Sequence, residues 1–198
     1  MVILRTNFIK CVVIGDDAVG KTSMLVCYAT NKFPETQHVP SVFDNYAGNI
    51  CISGKRYHLQ LIDTLEQDPC SDVTQNVFPG TDVFVVCFSA VRPESFSNAE
   101  KKWIPIIKRQ MGDTPFILVN TQTDLRKDDS VVEELRRCGR SPVSKSDGAA
   151  MARRLGASCY IECSPDGQKK MKQLINNAIV SVLSPAGYKI EGQPCTIL

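Results

Sequence analysis

The chain has 198 residues, 43% of them hydrophobic, and a formal net charge of +2, which is enough length for one domain with a substantial core and does not require a second. Its basic residues are scattered in short pairs, Lys101-Lys102, Arg136-Arg137, Arg153-Arg154 and Lys169-Lys170, so they read as solvated helix faces and not as a nucleic-acid surface. The nine cysteines are odd in number, lack paired Cys-x-x-Cys spacing and fall mostly in apolar runs, as at Cys11, Cys87 and Cys163, which points to reduced core thiols and away from disulfides or zinc.

Residues 8 to 14 are apolar and β-branched almost throughout, the pattern of a central strand buried on both faces of a parallel sheet. A glycine-rich turn over residues 15 to 22 and a helix beginning near Ser23 follow. Residues 31 to 46 carry two prolines and no helical period, so they read as a long loop entering a strand, and loops of that length tend to be functional. Strand-like runs over 46 to 52 and 57 to 62 flank Ser53-Gly54-Lys55 as a hairpin. Residues 65 to 80 are polar and irregular, and a buried strand over 83 to 88 leads to a helix over 94 to 111. A strand over 115 to 120 exits into Thr121-Gln122-Thr123-Asp124 and a charged insert from 126 to 140. A helix near 145 to 155, a short strand over 159 to 163 and a helix from about 167 to 183 complete the alternation. Alternating strands and helices predict a doubly wound α/β sheet with its site beyond the carboxyl ends of the strands.

The segment Gly15-Asp16-Asp17-Ala18-Val19-Gly20-Lys21-Thr22 fits the phosphate-loop pattern, and it has the strand–turn–helix context that the mechanism needs. Backbone N–H groups and a helix N-terminus converge there on phosphate oxygens. Lys21 would neutralise the terminal phosphates and Thr22 would ligate Mg²⁺, while a tight turn without a ligand is the plain alternative. Asp63, at the end of a strand, would join Thr22 at one metal site through water. Asp124 follows a buried strand where a base would lie. A carboxylate there accepts from the adjacent N1 and N2 donors of guanine, whereas adenine presents an acceptor at N1, so guanine is the natural base.

These pieces together resemble a Rho-family small GTPase, closest in pattern to the Rac branch, over essentially the whole chain. The resemblance is carried by residues 15 to 22, by Val39-Pro40-Ser41-Val42-Phe43-Asp44-Asn45-Tyr46, by Asp63-Thr64 with Gln67, by Asp124-Leu125-Arg126, by Glu162-Cys163-Ser164 and by the terminal Cys195-Thr196-Ile197-Leu198. It implies the P-loop NTPase small G-protein fold: a six-stranded, mostly parallel sheet flanked by helices, with a Rho-type insert helix between about 126 and 144. The G domain would span 1 to 183 and a flexible tail 184 to 198. It also implies GTP or GDP with Mg²⁺ as ligands, held by Gly15, Ala18, Val19, Gly20, Lys21, Thr22 and Ser23 at the phosphates. Phe33, Thr121, Gln122, Asp124, Leu125, Ser164 and Pro165 would surround the base. Ser41 would bind Mg²⁺ beside Thr22 and Asp63, and Gln67 would orient the attacking water. Val39, Pro40, Val42, Phe43, Asp44, Asn45 and Tyr46 would meet effector proteins of the Rho/Rac type.

Four departures from the family pattern fall in the chemistry. Asp17 stands where the family has glycine, in the space of the water-orienting glutamine and a partner's arginine finger, which together supply roughly 10³ to 10⁵ in rate. Leu65 and Glu66 replace the alanine and glycine of the second switch. A carboxylate about 5 Å from the γ-phosphate would be repelled by about 3 kcal/mol per charge pair before screening. Gln122 replaces the lysine whose stem covers the guanine. Pro165 has no N–H for the guanine oxygen, a loss of about 1 to 3 kcal/mol. Ile62, in place of an aromatic residue, puts the identity of the exchange factors in question.

Cys195-Thr-Ile-Leu reads as a prenylation signal whose final Leu favours geranylgeranyl. No polybasic run or second cysteine precedes it, so a reversible association with the cytoplasmic face of membranes is expected, with a prenyl-binding chaperone as a further partner. No N-terminal stretch is apolar for long enough to be a signal peptide or a span, so the body is expected to be soluble and cytoplasmic. The sequence reads best as an atypical switch with slow or absent hydrolysis. A conventional cycling GTPase and a nucleotide-independent scaffold are the alternatives.

Overall fold

The computed structural model describes residues 7–30, 45–52, 55–64, 76–164 and 176. Strand β1 (Phe8–Gly15) is buried from its fourth residue onward, and β4 (Val83–Ser89) and β5 (Phe116–Thr121) are buried at every position. Runs of Val, Ile, Leu and Phe of this kind suit the middle of a parallel sheet covered on both faces. The sheet order is β2-β3-β1-β4-β5-β6, where β2 is Asn45–Ile52, β3 is Lys55–Asp63 and β6 is Cys159–Glu162. Only the β2–β3 pair is antiparallel, with Ile52 opposite Lys55. The expected hairpin is therefore present, although residues 53 and 54 of its turn lie outside the described residues.

The two-residue period of the strands divides the core into two layers. Cys11, Val13, Val83, Val85, Ile117 and Val119 face α1 (Lys21–Thr30) through Met24, Leu25 and Tyr28. Val12, Ile14, Phe84, Val86, Phe88 and Leu118 face Trp103, Ile104, Ile107 and Met151 on the opposite side. Phe78, in a stretch that looked polar overall, is buried against Phe84 with ring centroids 4.8 Å apart. Cys11, Cys87 and Cys163 are buried and unbridged.

The helix expected over 94 to 111 is present as one uninterrupted helical run, with a π-helical turn inside it. It runs as α2 (Pro93–Asn98), a π-helical turn (Ala99–Trp103) and α3 (Ile104–Met111). The cause of the turn is Pro105, which has no N–H for the ladder. The preceding amide of Ile104 reaches back to the Ala99 carbonyl, closing the wider turn. Beyond β5, a 3₁₀ turn (Thr123–Lys127) leads to α4 (Asp129–Arg137), a helix inside the charged insert. Helix α5 (Lys145–Leu155) is capped by the Ser144 hydroxyl, which accepts from the Asp147 amide at 3.1 Å. The helix expected from about 167 to 183 and the tail beyond it lie outside the described residues, residue 176 apart. From that region only Asn176 is seen, accepting a hydrogen bond from the Tyr28 hydroxyl of α1.

Candidate nucleotide site

In this sheet order the connections from β1 diverge, with β3 on one side of it and β4 on the other. The crevice at the carboxyl end of β1 is the topological switch point, and the glycine-rich turn lies there. Gly15 takes φ +150° with the Cys87 carbonyl oxygen only 2.3 Å from where a Cβ would stand, so no other residue fits against β4. Gly20 takes φ +89° just before α1 begins. Between them Ala18 is held at φ +55°, an uncommon conformation for a residue with a side chain.

Lys21 is 5% exposed, and its Nζ donates to the carbonyls of Gly15 at 2.9 Å and Asp16 at 2.8 Å. Burial lowers its pKa, opposed by neighbouring groups that include the carboxylates of Asp63, Asp17 and Asp16. A cation held over the loop by two carbonyls, in a setting that disfavours its charge, gains from an arriving anion. The Thr22 hydroxyl donates to Asp63 Oδ2 at 2.5 Å, so the two expected metal residues meet although they lie 41 positions apart. Asp63 is itself buried, and Thr64 anchors the end of β3 by donating to the Val13 carbonyl at 2.8 Å. A hydroxyl and a carboxylate are the hard oxygen donors that Mg²⁺ takes alongside phosphates and waters, so these residues fit that ion.

The loop after β5 is joined to the phosphate loop. Thr121 Oγ1 donates to the Val19 carbonyl and lies 2.9 Å from the Phe88 carbonyl. Gln122, at φ +54°, accepts from the Ser89 hydroxyl at 2.5 Å and extends its amide nitrogen to within 3.4 Å of the Ala18 carbonyl. Asp124 Oδ1 is buried and has no hydrogen-bond partner among the described residues. Leaving such an acceptor dry costs about 1 to 3 kcal/mol, and a base offering two adjacent donors would satisfy it. Arg126 braces this loop, with Nη2 2.6 Å from Glu162 Oε1 and Nε 2.8 Å from the Val143 carbonyl. Tyr160 donates to the same carboxylate oxygen at 3.0 Å and accepts from Asn120 Nδ2 at 3.2 Å.

Gly15, Ala18, Val19, Gly20, Lys21, Thr22, Asp63, Thr121 and Gln122 are thus drawn into one crevice. Ser23 lies in the first turn of α1, Asp124 and Leu125 lie in the 3₁₀ turn, and Ser164 lies just past β6. Asn45 and Tyr46 open β2. Phe33, Val39, Pro40, Ser41, Val42, Phe43, Asp44, Leu65, Glu66, Gln67, Pro165 and Cys195 lie outside the described residues. Four contributors were not legible as motifs. Ser89 holds Gln122, Arg92 Nη1 donates to the Asp17 carbonyl at 3.0 Å, and Asn98 and Trp103 both donate to the Asp16 carboxylate. They come from the end of β4, the turn after it and the helical run that follows, and no local spacing relates them to the loop.

The fold and the site define a P-loop α/β protein with a nucleotide crevice at its switch point. The model of the Ras family matches residues 10–184, and the chain belongs to that family of small GTPases. Ras-family proteins are nucleotide-binding switches that take guanine nucleotide with Mg²⁺ and engage effectors and regulators. No helix among the described residues is long and apolar enough to cross a membrane.

Proposed function

We propose that this chain is an atypical, Rac-like member of the Rho branch that binds GTP and GDP with Mg²⁺ and hydrolyses GTP slowly or not at all. The observation that carries this reading is Asp17: a carboxylate-bearing residue inside a loop where Lys21 Nζ donates to the Gly15 carbonyl and the Thr22 hydroxyl donates to Asp63. Lys21 would meet the β- and γ-phosphates, Thr22 with Asp63 and Ser41 would hold the ion, and Asp124 would select guanine. Bound Mg²⁺ would neutralise phosphate charge. Asp17 and Glu66 would leave no room or charge balance for a water oriented by Gln67 or for a partner's arginine. Helix α4 would serve as the Rho-type insert, residues 39 to 46 would contact Rho/Rac-type effectors, and geranylgeranyl on Cys195 would give reversible membrane association.

Chromatography of the nucleotide released from freshly purified protein tests the loading, and a single-turnover assay with and without a Rho-type activating protein tests the block. Retained GTP and no stimulation are expected. Stimulated hydrolysis at ordinary family rates would overturn the reading in favour of a conventional cycling GTPase. Replacing Asp17→Gly and Glu66→Gly together is expected to raise hydrolysis at least tenfold. A second reading, a scaffold that works without nucleotide, is favoured by Gln122, whose amide is engaged by Ser89 and Ala18 and not left open to a base. Folded, effector-competent protein that carries no nucleotide would support it.

A further inference from the structure

We propose that Asp16 is a positioning residue for Lys21, held by a latch of Asn98 and Trp103 that the π-helical turn brings together. Both oxygens of the Asp16 carboxylate are taken from the same direction. Trp103 Nε1 donates to Oδ1 at 2.7 Å and Asn98 Nδ2 donates to Oδ2 at 2.7 Å. The backbone carbonyl of the same residue accepts from Lys21 Nζ at 2.8 Å. A chain of contacts therefore runs from the helix after β4, through one aspartate, to the ammonium group that would meet the phosphates.

In a regular α-helix two residues five positions apart point about 140° away from each other, so Asn98 and Trp103 could not grip one carboxylate. The turn from Ala99 to Trp103 closes with a bond from residue 104 to residue 99, and that wider spacing places a residue and its fifth neighbour on one side. Trp103 is 2% exposed, and Lys102 Nζ lies 4.5 Å from its ring centroid. The indole is thus fixed by the core and has its N–H directed at the loop. Arg92 adds a third tie through the Asp17 carbonyl. Asp16, Asp17, Arg92, Asn98 and Trp103 are among the residues that line one cleft of about 440 Å³.

This inference rests on the proposed binding of guanine nucleotide by the loop. Trp103 is the chain's single tryptophan, so its emission reports on the latch directly. The test uses the full chain and three variants, Asp16→Ala, Asn98→Ala and Trp103→Phe. Release of tritiated GDP is measured in the presence of Mg²⁺, and indole emission is followed as GDP is added to nucleotide-free protein. Each variant is expected to release GDP about tenfold faster, the loss of a hydrogen bond to a charged group. Asp16→Ala with Trp103→Phe is expected to release no faster than Asp16→Ala alone. Emission should change on binding in the parent and not in Asp16→Ala. Asn98→Ala, at a half-buried surface position, keeps the test open if Trp103→Phe does not fold. Parent protein that binds GDP, with unchanged release in Asp16→Ala and Asn98→Ala or with effects that multiply in the double variant, overturns the latch and leaves the binding reading intact. Parent protein that binds no GDP by calorimetry overturns both.

Discussion

Ala18 and Gln122 sit at φ +55° and +54°, facing each other across the crevice, and each carries a side chain in a conformation that costs roughly 1 to 2 kcal/mol. Backbone strain of this kind persists where surrounding contacts over-determine it, here the bonds of Thr121 and Gln122 to the carbonyls of Val19 and Ala18. Ala18 is exposed, so Ala18→Gly loses little packing and removes the clash, against a glycine entropy cost of about 0.5 to 1 kcal/mol. A gain of up to about 1 kcal/mol is expected in urea unfolding of nucleotide-free protein. Lys21 presents the opposite balance. Its charge is held in a buried setting that lowers its pKa, so Lys21→Met is expected to leave stability unchanged or raised. The same variant removes the cation that meets the phosphates and should weaken GDP binding at least tenfold by calorimetry. Stability and affinity moving in opposite directions would mark Lys21 as placed for a ligand and not for the fold.

Helix α4 is an element with little core of its own: none of its residues is buried, and its first turn is organised by Asp128. That carboxylate accepts from the Ser130 hydroxyl at 2.5 Å and from the amides of Ser130 at 3.0 Å and Val131 at 3.1 Å. These bonds, the Ser130 hydroxyl first, hold its pKa below the ordinary value. A carboxyl depressed in the folded state contributes stability that is present above the unfolded value near 4 and is lost as pH falls through the folded one. The protection of the α4 amides, taken relative to intrinsic exchange at the same pH, should therefore fall as the solution is acidified below the ordinary carboxyl value, ahead of the sheet, and Asp128→Ala should show the lower protection at neutral pH already. The elements differ in how far they could be read from sequence, and burial explains why. The strands β1, β4 and β5 were legible because each is a run of apolar residues with no competing pattern. The π-helical turn after Asn98 was not, because apolar positions continue through Trp103 and Ile104 into α3 and mask the effect of Pro105. The phosphate and metal residues were legible as motifs because their chemistry requires fixed spacing along the chain. The latch on Asp16 and the grip of Ser89 on Gln122 were not, because they depend only on which element the sheet brings alongside.

The whole molecule is built so that its two core layers meet at the sheet while the crevice collects polar groups that the chain itself only partly satisfies. Lys21 is buried on its own carbonyls, the buried Asp124 Oδ1 has no partner among the described residues, and the Thr22 and Asp63 side chains face one another. A ligand that answers these groups binds the folded chain and not the unfolded one, so its affinity appears as stability. At a GDP concentration about a hundred times its dissociation constant the gain is about 2.7 kcal/mol. For a domain of this size that corresponds to a rise in Tm of roughly 5 to 11 °C. Adding EDTA should remove most of that rise, because Thr22 and Asp63 would then lack the ion that joins them to the phosphates. ATP at the same concentration should produce little shift, since the Asp124 carboxylate would meet an acceptor at N1 of adenine. A thermal scan with GDP, GDP plus EDTA, and ATP therefore reads phosphate, metal and base recognition in one experiment. Equal shifts with GDP and ATP would show that the base loop does not discriminate. No shift with either would favour the scaffold reading over the switch.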